Sequence, residues 1–242
     1  MATAKDARVA LLSRLIDHAP MFPPASLDLP EALEEDARAR ESASSFMLGR
    51  FVCLASRLAE LPDVGRGVSV VLDAPVATDG RVDAIEVPPG TDLASVPAAP
   101  EVYVEIRLDD ELEARLAEVE RRGLRAKVRC TGAPDGLHRF LLECRARGIV
   151  YKATAGLHHA LRTDEEHGFL NLLAAAVFGD EGALDERDPE RFEVRAEGFR
   201  WGGRTASAEE VAHARRERLH SIGSCSFAEP VEELEKLGVL PL

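Results

Sequence analysis

The chain has 242 residues, 45% apolar and 30% charged, with a formal net charge of −13. That length is large for one ordinary domain and normal for one α/β barrel, and the acidic balance argues against nucleic acid and anionic membrane surfaces as partners. No apolar run approaches the roughly 20 residues of a membrane span, the polar start Met1–Arg8 carries no evident secretory signal, and Cys53, Cys130, Cys144 and Cys225 form no CxxC pair, so reduced thiols and a cytoplasmic location are expected.

Short apolar runs recur along the chain. Leu15–His18 is the first strand, and the prolines of Met21-Phe22-Pro23-Pro24 impose an extended loop after it. Pro30 suits a first helical turn, which predicts a helix over Glu31–Phe46. Arg50–Ala55 is the second strand, followed by a short helix, Arg57–Leu61. Val68–Asp73 and Ala84–Val87 are the third and fourth strands, each followed by a brief segment rich in Pro and Gly where no full crossover helix is expected. Glu101–Arg107 is the fifth strand, and Glu111–Arg122 is a helix stopped by Gly123. Arg125–Gly132 is the sixth strand and Leu137–Arg147 the next helix. Strand seven begins the stretch Ile149–His159, and an apolar helix spans His167–Phe178. Phe192–Arg195 and Gly198–Trp201 suit a hairpin. A capping box of Ser207 and Glu210 opens a helix to Leu219. His220–Ser226 is the eighth strand, and a helix capped by Ser226 and Glu229 runs through Leu237.

Eight strands alternating with mostly helical crossovers predict an α/β fold of the (β/α)8 (TIM-like) barrel class, with shortened third and fourth units and an insertion before strand eight. The whole chain, 1–242, reads as a single barrel domain, with 180–206 as a hairpin-containing insertion that could act as a lid or a contact between copies. An open doubly wound sheet is the alternative, but no G-x-G-x-x-G or P-loop accompanies it.

In such a barrel the chemistry lies at the strand C-termini. Strand alternation puts Lys127 with Arg129, Lys152 with Thr154, and Glu105 with Arg107 on common faces. Branched neighbours such as Val104, Val128 and Val150 suit the helix side, so the charges are expected inside. One reading is a structural lattice of Glu105 with Lys127 and of Lys152 with Glu86 or Asp73. The functional reading makes Lys152 a nucleophile whose pKa is lowered by burial and by Lys127 and Arg129. Asp17 and Glu105 would then move protons, and Arg129, Thr154, His18, His158, His159, Arg162, Ser224 and Ser226 would bind substrate.

Lys152-Ala153-Thr154-Ala155-Gly156 resembles the K-x-T-x-G strand of deoxyribose-phosphate aldolases and related class I aldolases. The resemblance covers about ten residues and implies Schiff-base chemistry at Lys152. That family carries a second lysine on the following strand. His220–Ser226 has none, and Lys127, on the preceding strand, would supply the charge instead. The resulting expectation is a lyase acting on a small anionic carbonyl compound, a sugar phosphate or an oxo acid, with no cofactor.

Two other classes compete. A metal-dependent lyase or hydrolase would draw ligands from His158, Asp17 and Glu86. A non-catalytic barrel would bind a metabolite or a protein partner. Gly223–Ser226, leading into a helix start, suits either an anion or an ordinary cap, and Cys225 either a nucleophile or a buried filler. The expected partners are a small anionic substrate and, in a homo-oligomer, a second copy of the chain, with neither nucleic acid nor membrane.

Overall fold

The computed structural model describes residues 5–131 and 134–242. A helix that the pattern reading missed, α1 (Ala7–Leu12), precedes β1 (Ile16–His18) and is capped by the Asp6 carboxylate accepting from the Arg8 N–H. Next come α2 (Leu29–Glu41), β2 (Leu48–Leu54), β3 (Val68–Val71), β4 (Val82–Val87) and β5 (Glu101–Ile106). They are followed by α3 (Leu112–Arg121), β6 (Arg125–Arg129), α4 (Pro134–Arg147), β7 (Tyr151–Thr154) and α5 (Phe169–Phe178). The insertion carries β8 (Phe192–Val194), β9 (Phe199–Trp201) and β10 (Arg204–Ala206). The chain then returns through α6 (Ala208–Glu217) to β11 (Leu219–Ser224) and α7 (Ala228–Lys236).

The eight strands β1–β7 and β11 pair in parallel and close into a barrel, in the order β1-β11-β7-β6-β5-β4-β3-β2. No helix of any kind lies between β3 and β4 or between β4 and β5, so the third and fourth units are shortened, and the second carries only a 3₁₀ helix, Ala55–Glu60, where a short helix over Arg57–Leu61 was expected. Among the described residues no helix is long and apolar enough to cross a membrane.

Alternation along the strands sets the two sides of the wall. Val68, Val70, Ile85, Val104, Ile106, Ala126, Val128 and Ala153 are buried in the hydrophobic core, and their neighbours Ser69, Glu86, Lys127 and Lys152 form the barrel's polar interior. The apolar side gains roughly 25 cal/mol per Å² buried, which outweighs any register that would place the charges under the helices.

Several elements differ from the pattern. The first long helix ends at Glu41 instead of Phe46, because Ser42 turns extended and donates its hydroxyl to the Ala39 carbonyl, and Ser45–Met47 is a separate 3₁₀ turn. Strand six stops at Arg129, and Gly132 lies outside the described residues. The hairpin is a three-stranded sheet, since Gly202 and Gly203, both at positive φ, turn the chain from β9 into β10. Trp201 packs on Phe178 at the C-terminal end of α5.

Candidate active site

A cavity of about 620 Å³ opens at the C-terminal ends of the strands. Its floor is ionic. Lys152, fully buried, donates to Asp17 Oδ2 at 2.5 Å and to Glu86 Oε1 at 2.6 Å. Lys127, paired in register with Lys152 on the next strand, bridges Glu86 Oε2 at 2.8 Å and Glu105 Oε2 at 3.0 Å. Neutral donors complete the two inner carboxylates. Ser69 Oγ donates to Glu86 at 2.8 Å, Ser221 Oγ to Asp17 at 2.7 Å, and the Arg50 backbone N–H to Asp17 at 2.9 Å. Ser69 and Ser221 escaped the sequence reading, since a serine within a strand carries no chemical signature.

This lattice reverses one expectation. Burial alone would push the Lys152 ammonium toward neutrality, but Asp17 and Glu86 outweigh it and hold Lys152 above the ordinary lysine range. The lowering expected from Lys127 and Arg129 fails because both lysines share carboxylates instead of facing one another unpaired. Glu86 is likewise driven below the usual carboxylate range: burial opposes its charge, and Lys127 and Lys152 override that opposition. In the structural pairing, Lys152 takes Asp17 and Glu86 and not Asp73, which is exposed and accepts from Ser56.

The other expected site residues divide. Arg129, Thr154, His158, Ser224 and Cys225 line the cavity with Glu105 and Lys127. Arg129 is exposed and makes no ion pair among the described residues. His158 is held by Glu229 at 3.1 Å. His18 is corrected: it faces the helix side of β1, fully buried, with Nδ1 at 2.9 Å from Asp36, because alternation that turns Asp17 inward turns His18 out. His159 faces Glu233 at 3.6 Å, Arg162 meets His167 and Leu184, and Ser226 caps the Glu229 N–H, none of them lining the cavity. No residue of the 180–206 insertion lines it either. Burial raises the Cys225 thiol, which suits the buried filler better than a nucleophile.

The alternative metal set is not assembled. An ammonium already stands between Asp17 and Glu86, and among the described residues no three His, Cys, Asp or Glu side chains are placed to hold an ion.

The cavity also has walls that patterning did not reveal. Phe22, Pro23 and Pro24 come from the loop after β1, and Glu166 from the loop after β7. Thr154 Oγ1 and Glu166 Oε2 are buried and have no protein partner among the described residues, leaving two polar atoms for a ligand. The turn that leaves β7 is strained: Ala155 has φ +58° and Gly156 has φ +63°. A Cβ on Gly156 would stand 2.6 Å from the Cys130 carbonyl oxygen. Gly156→Ala is therefore expected to lower stability by about 1–3 kcal/mol and to shift the cavity wall, read by urea unfolding.

Behind the wall, Asp36 gathers Arg66 Nη1 at 2.6 Å, Arg40 Nε at 3.2 Å and His18. Burial opposes its charge, but Arg66 and His18 bring it down to about 2. A depressed folded pKa stabilises above the unfolded value, roughly 3.9, and that contribution is lost as pH falls through the folded one. Acid unfolding should therefore steepen between about pH 4 and 2, and Asp36→Asn should flatten that slope in a circular dichroism titration.

Fold and floor together define a (β/α)8 barrel with a lysine–carboxylate lattice beneath a cavity at its C-terminal face. No protein-family description, curated protein or solved structure matches the chain.

Proposed function

We propose that the chain is a Schiff-base-forming lyase for a small carbonyl compound bearing an anionic group, with Lys127 as the reacting amine. One observation carries this reading: Lys127 Nζ lies at the cavity floor beside Glu105, the lattice carboxylate that remains partly open to solvent. Lys152 also lines the cavity, but it is fully buried with two carboxylates on its ammonium, whereas Lys127 keeps some exposure, so Lys127 is the amine a carbonyl carbon reaches with less disruption of the lattice.

Glu105 takes a proton from the Lys127 ammonium, and the amine adds to the carbonyl carbon. The proton returns to the resulting oxygen, a second proton moves from nitrogen to that oxygen, and water leaves, giving an iminium at Lys127. Lys152 acts from beneath as a positioning residue, keeping Glu86 ionised and Glu86 on Lys127. Arg129 at the mouth holds the anionic group, and Glu166 is a second proton carrier within the cavity.

Borohydride reduction in the presence of phosphorylated aldehydes and of 2-oxo acids, followed by peptide mapping, tests this. A stable adduct at Lys127 supports it. The absence of an adduct with every compound, while one of them raises the melting temperature, turns the reading to a binding barrel without chemistry. That second reading is favoured by the pairing of every charge in the floor.

A further inference from the structure

The opposite end of the barrel holds a second cavity, of about 330 Å³, at the N-terminal ends of the strands. In a chain of net charge −13, four of the side chains lining it are arginines: Arg14, Arg50, Arg215 and Arg216. Its two carboxylates are already committed. Glu101 accepts from Arg50 at 2.6 Å and from Arg125 at 2.5 Å, and Asp17 accepts from Lys152 above.

Arg50 is paired with Glu101, but the other three lining arginines have no carboxylate at ion-pair distance among the described residues. Arg215 is buried and gives its N–H groups to the carbonyls of Leu11, Leu219 and His220, with no carboxylate in contact and only the more distant Asp17 charge opposing its burial. Burial accordingly lowers Arg215 to about 10. Arg14 and Arg216 are exposed at the lip and have no carboxylate partner among the described residues. Arg50 Nε is buried without a hydrogen-bond partner there. Arg14 also holds a left-handed backbone, φ +51°, a conformation disfavoured for arginine that turns the chain into β1. His220 donates Nε2–H to the Arg216 carbonyl, which leaves Nδ1 to accept from Arg125 and covers one helix-end oxygen that would repel an anion.

We propose that this lower cavity is an anion-binding site for a small molecule carrying a phosphate group, separate from the C-terminal cavity. Planar guanidinium groups suit phosphate oxygens bidentately, and the volume accommodates a phosphorylated metabolite of a few carbons. Asp17 lines this cavity and also holds Lys152, so one carboxylate stands between the two ends of the barrel. The assignment does not depend on the chemistry proposed for Lys127.

Titration calorimetry with inorganic phosphate, at ionic strength matched with chloride, tests it. The expected result is saturable binding at one site that weakens roughly tenfold, equal to about 1.4 kcal/mol, in Arg216→Ala and further in Arg216→Glu. Arg216 is an exposed helical position, so both variants should keep the wild-type melting temperature without ligand. Arg14→Ala should weaken binding as well, and Arg195→Ala, on the exposed turn between β8 and β9 and away from both cavities, should leave it unchanged. Heat that fails to saturate, binding unaffected by Arg216→Glu, or binding lost in Arg195→Ala instead would each overturn the assignment.

Discussion

Lys152→Met is expected to destabilise the protein by about 3–5 kcal/mol at pH 7, the usual consequence of removing one partner from a buried ionic network. Methionine fills nearly the same volume, so the loss is electrostatic. Glu86 keeps Lys127, but Asp17 loses its only cationic side chain at hydrogen-bond distance among the described residues. In the wild type, Lys152 is raised and Glu86 depressed. The lysine contribution is present below its unfolded value, roughly 10.4, and lost as pH rises through the higher folded value. The glutamate contribution is present above its unfolded value, roughly 4.3, and lost as pH falls through the lower folded one. Both act in full between these limits. In the variant the lysine contribution is gone and Glu86 keeps only Lys127, so the deficit should be present at both pH 7 and pH 5, between the limits within which both wild-type contributions act. Urea unfolding at pH 7 and pH 5 checks this, and a variant as stable as the wild type at both would show that desolvating the three charges already offsets their attraction.

Lys127→Met should instead act on chemistry. The borohydride adduct at position 127 is expected to disappear, because methionine has no amine to add to the carbonyl carbon. The stability change should be smaller, about 1–3 kcal/mol, because Glu86 retains Lys152 and Ser69, and Glu105 can be solvated from the cavity. Lys127→Arg sharpens the test: it preserves the positive charge between Glu86 and Glu105 and cannot form the adduct. Wild-type stability with no adduct in Lys127→Arg would support nucleophilic attack by Lys127. An adduct of undiminished yield in both variants would remove Lys127 from the reacting position. Mapping that adduct to Lys152 would mean that the lattice opens when substrate binds.

The sequence by itself determined the barrel. Its signal is local: runs such as Val68-Ser69-Val70-Val71 and Glu101-Val102-Tyr103-Val104-Glu105-Ile106 declare strands, and Gly123 and Gly148 end helices. Alternation within a strand also decided that Lys127, Lys152 and Glu105 share the interior, since period two is a property of the backbone alone. Only the tertiary structure decided which charge meets which. That depends on strand register and barrel closure, which bring Asp17 of β1 to Lys152 of β7, 135 positions apart, and place Glu86 under both lysines. It therefore decided the sign of the Lys152 shift, because two carboxylates in contact outweigh burial and more distant cations. It also separated Asp17 from His18, adjacent in sequence and on opposite sides of the wall. Glu166 and the Phe22–Pro24 loop entered the cavity through loop paths that carry no periodicity. The lower arginine cavity assembles from the segment before β1, the start of β2 and the end of α6. Each of those segments looks like an ordinary solvated surface until barrel closure brings them together.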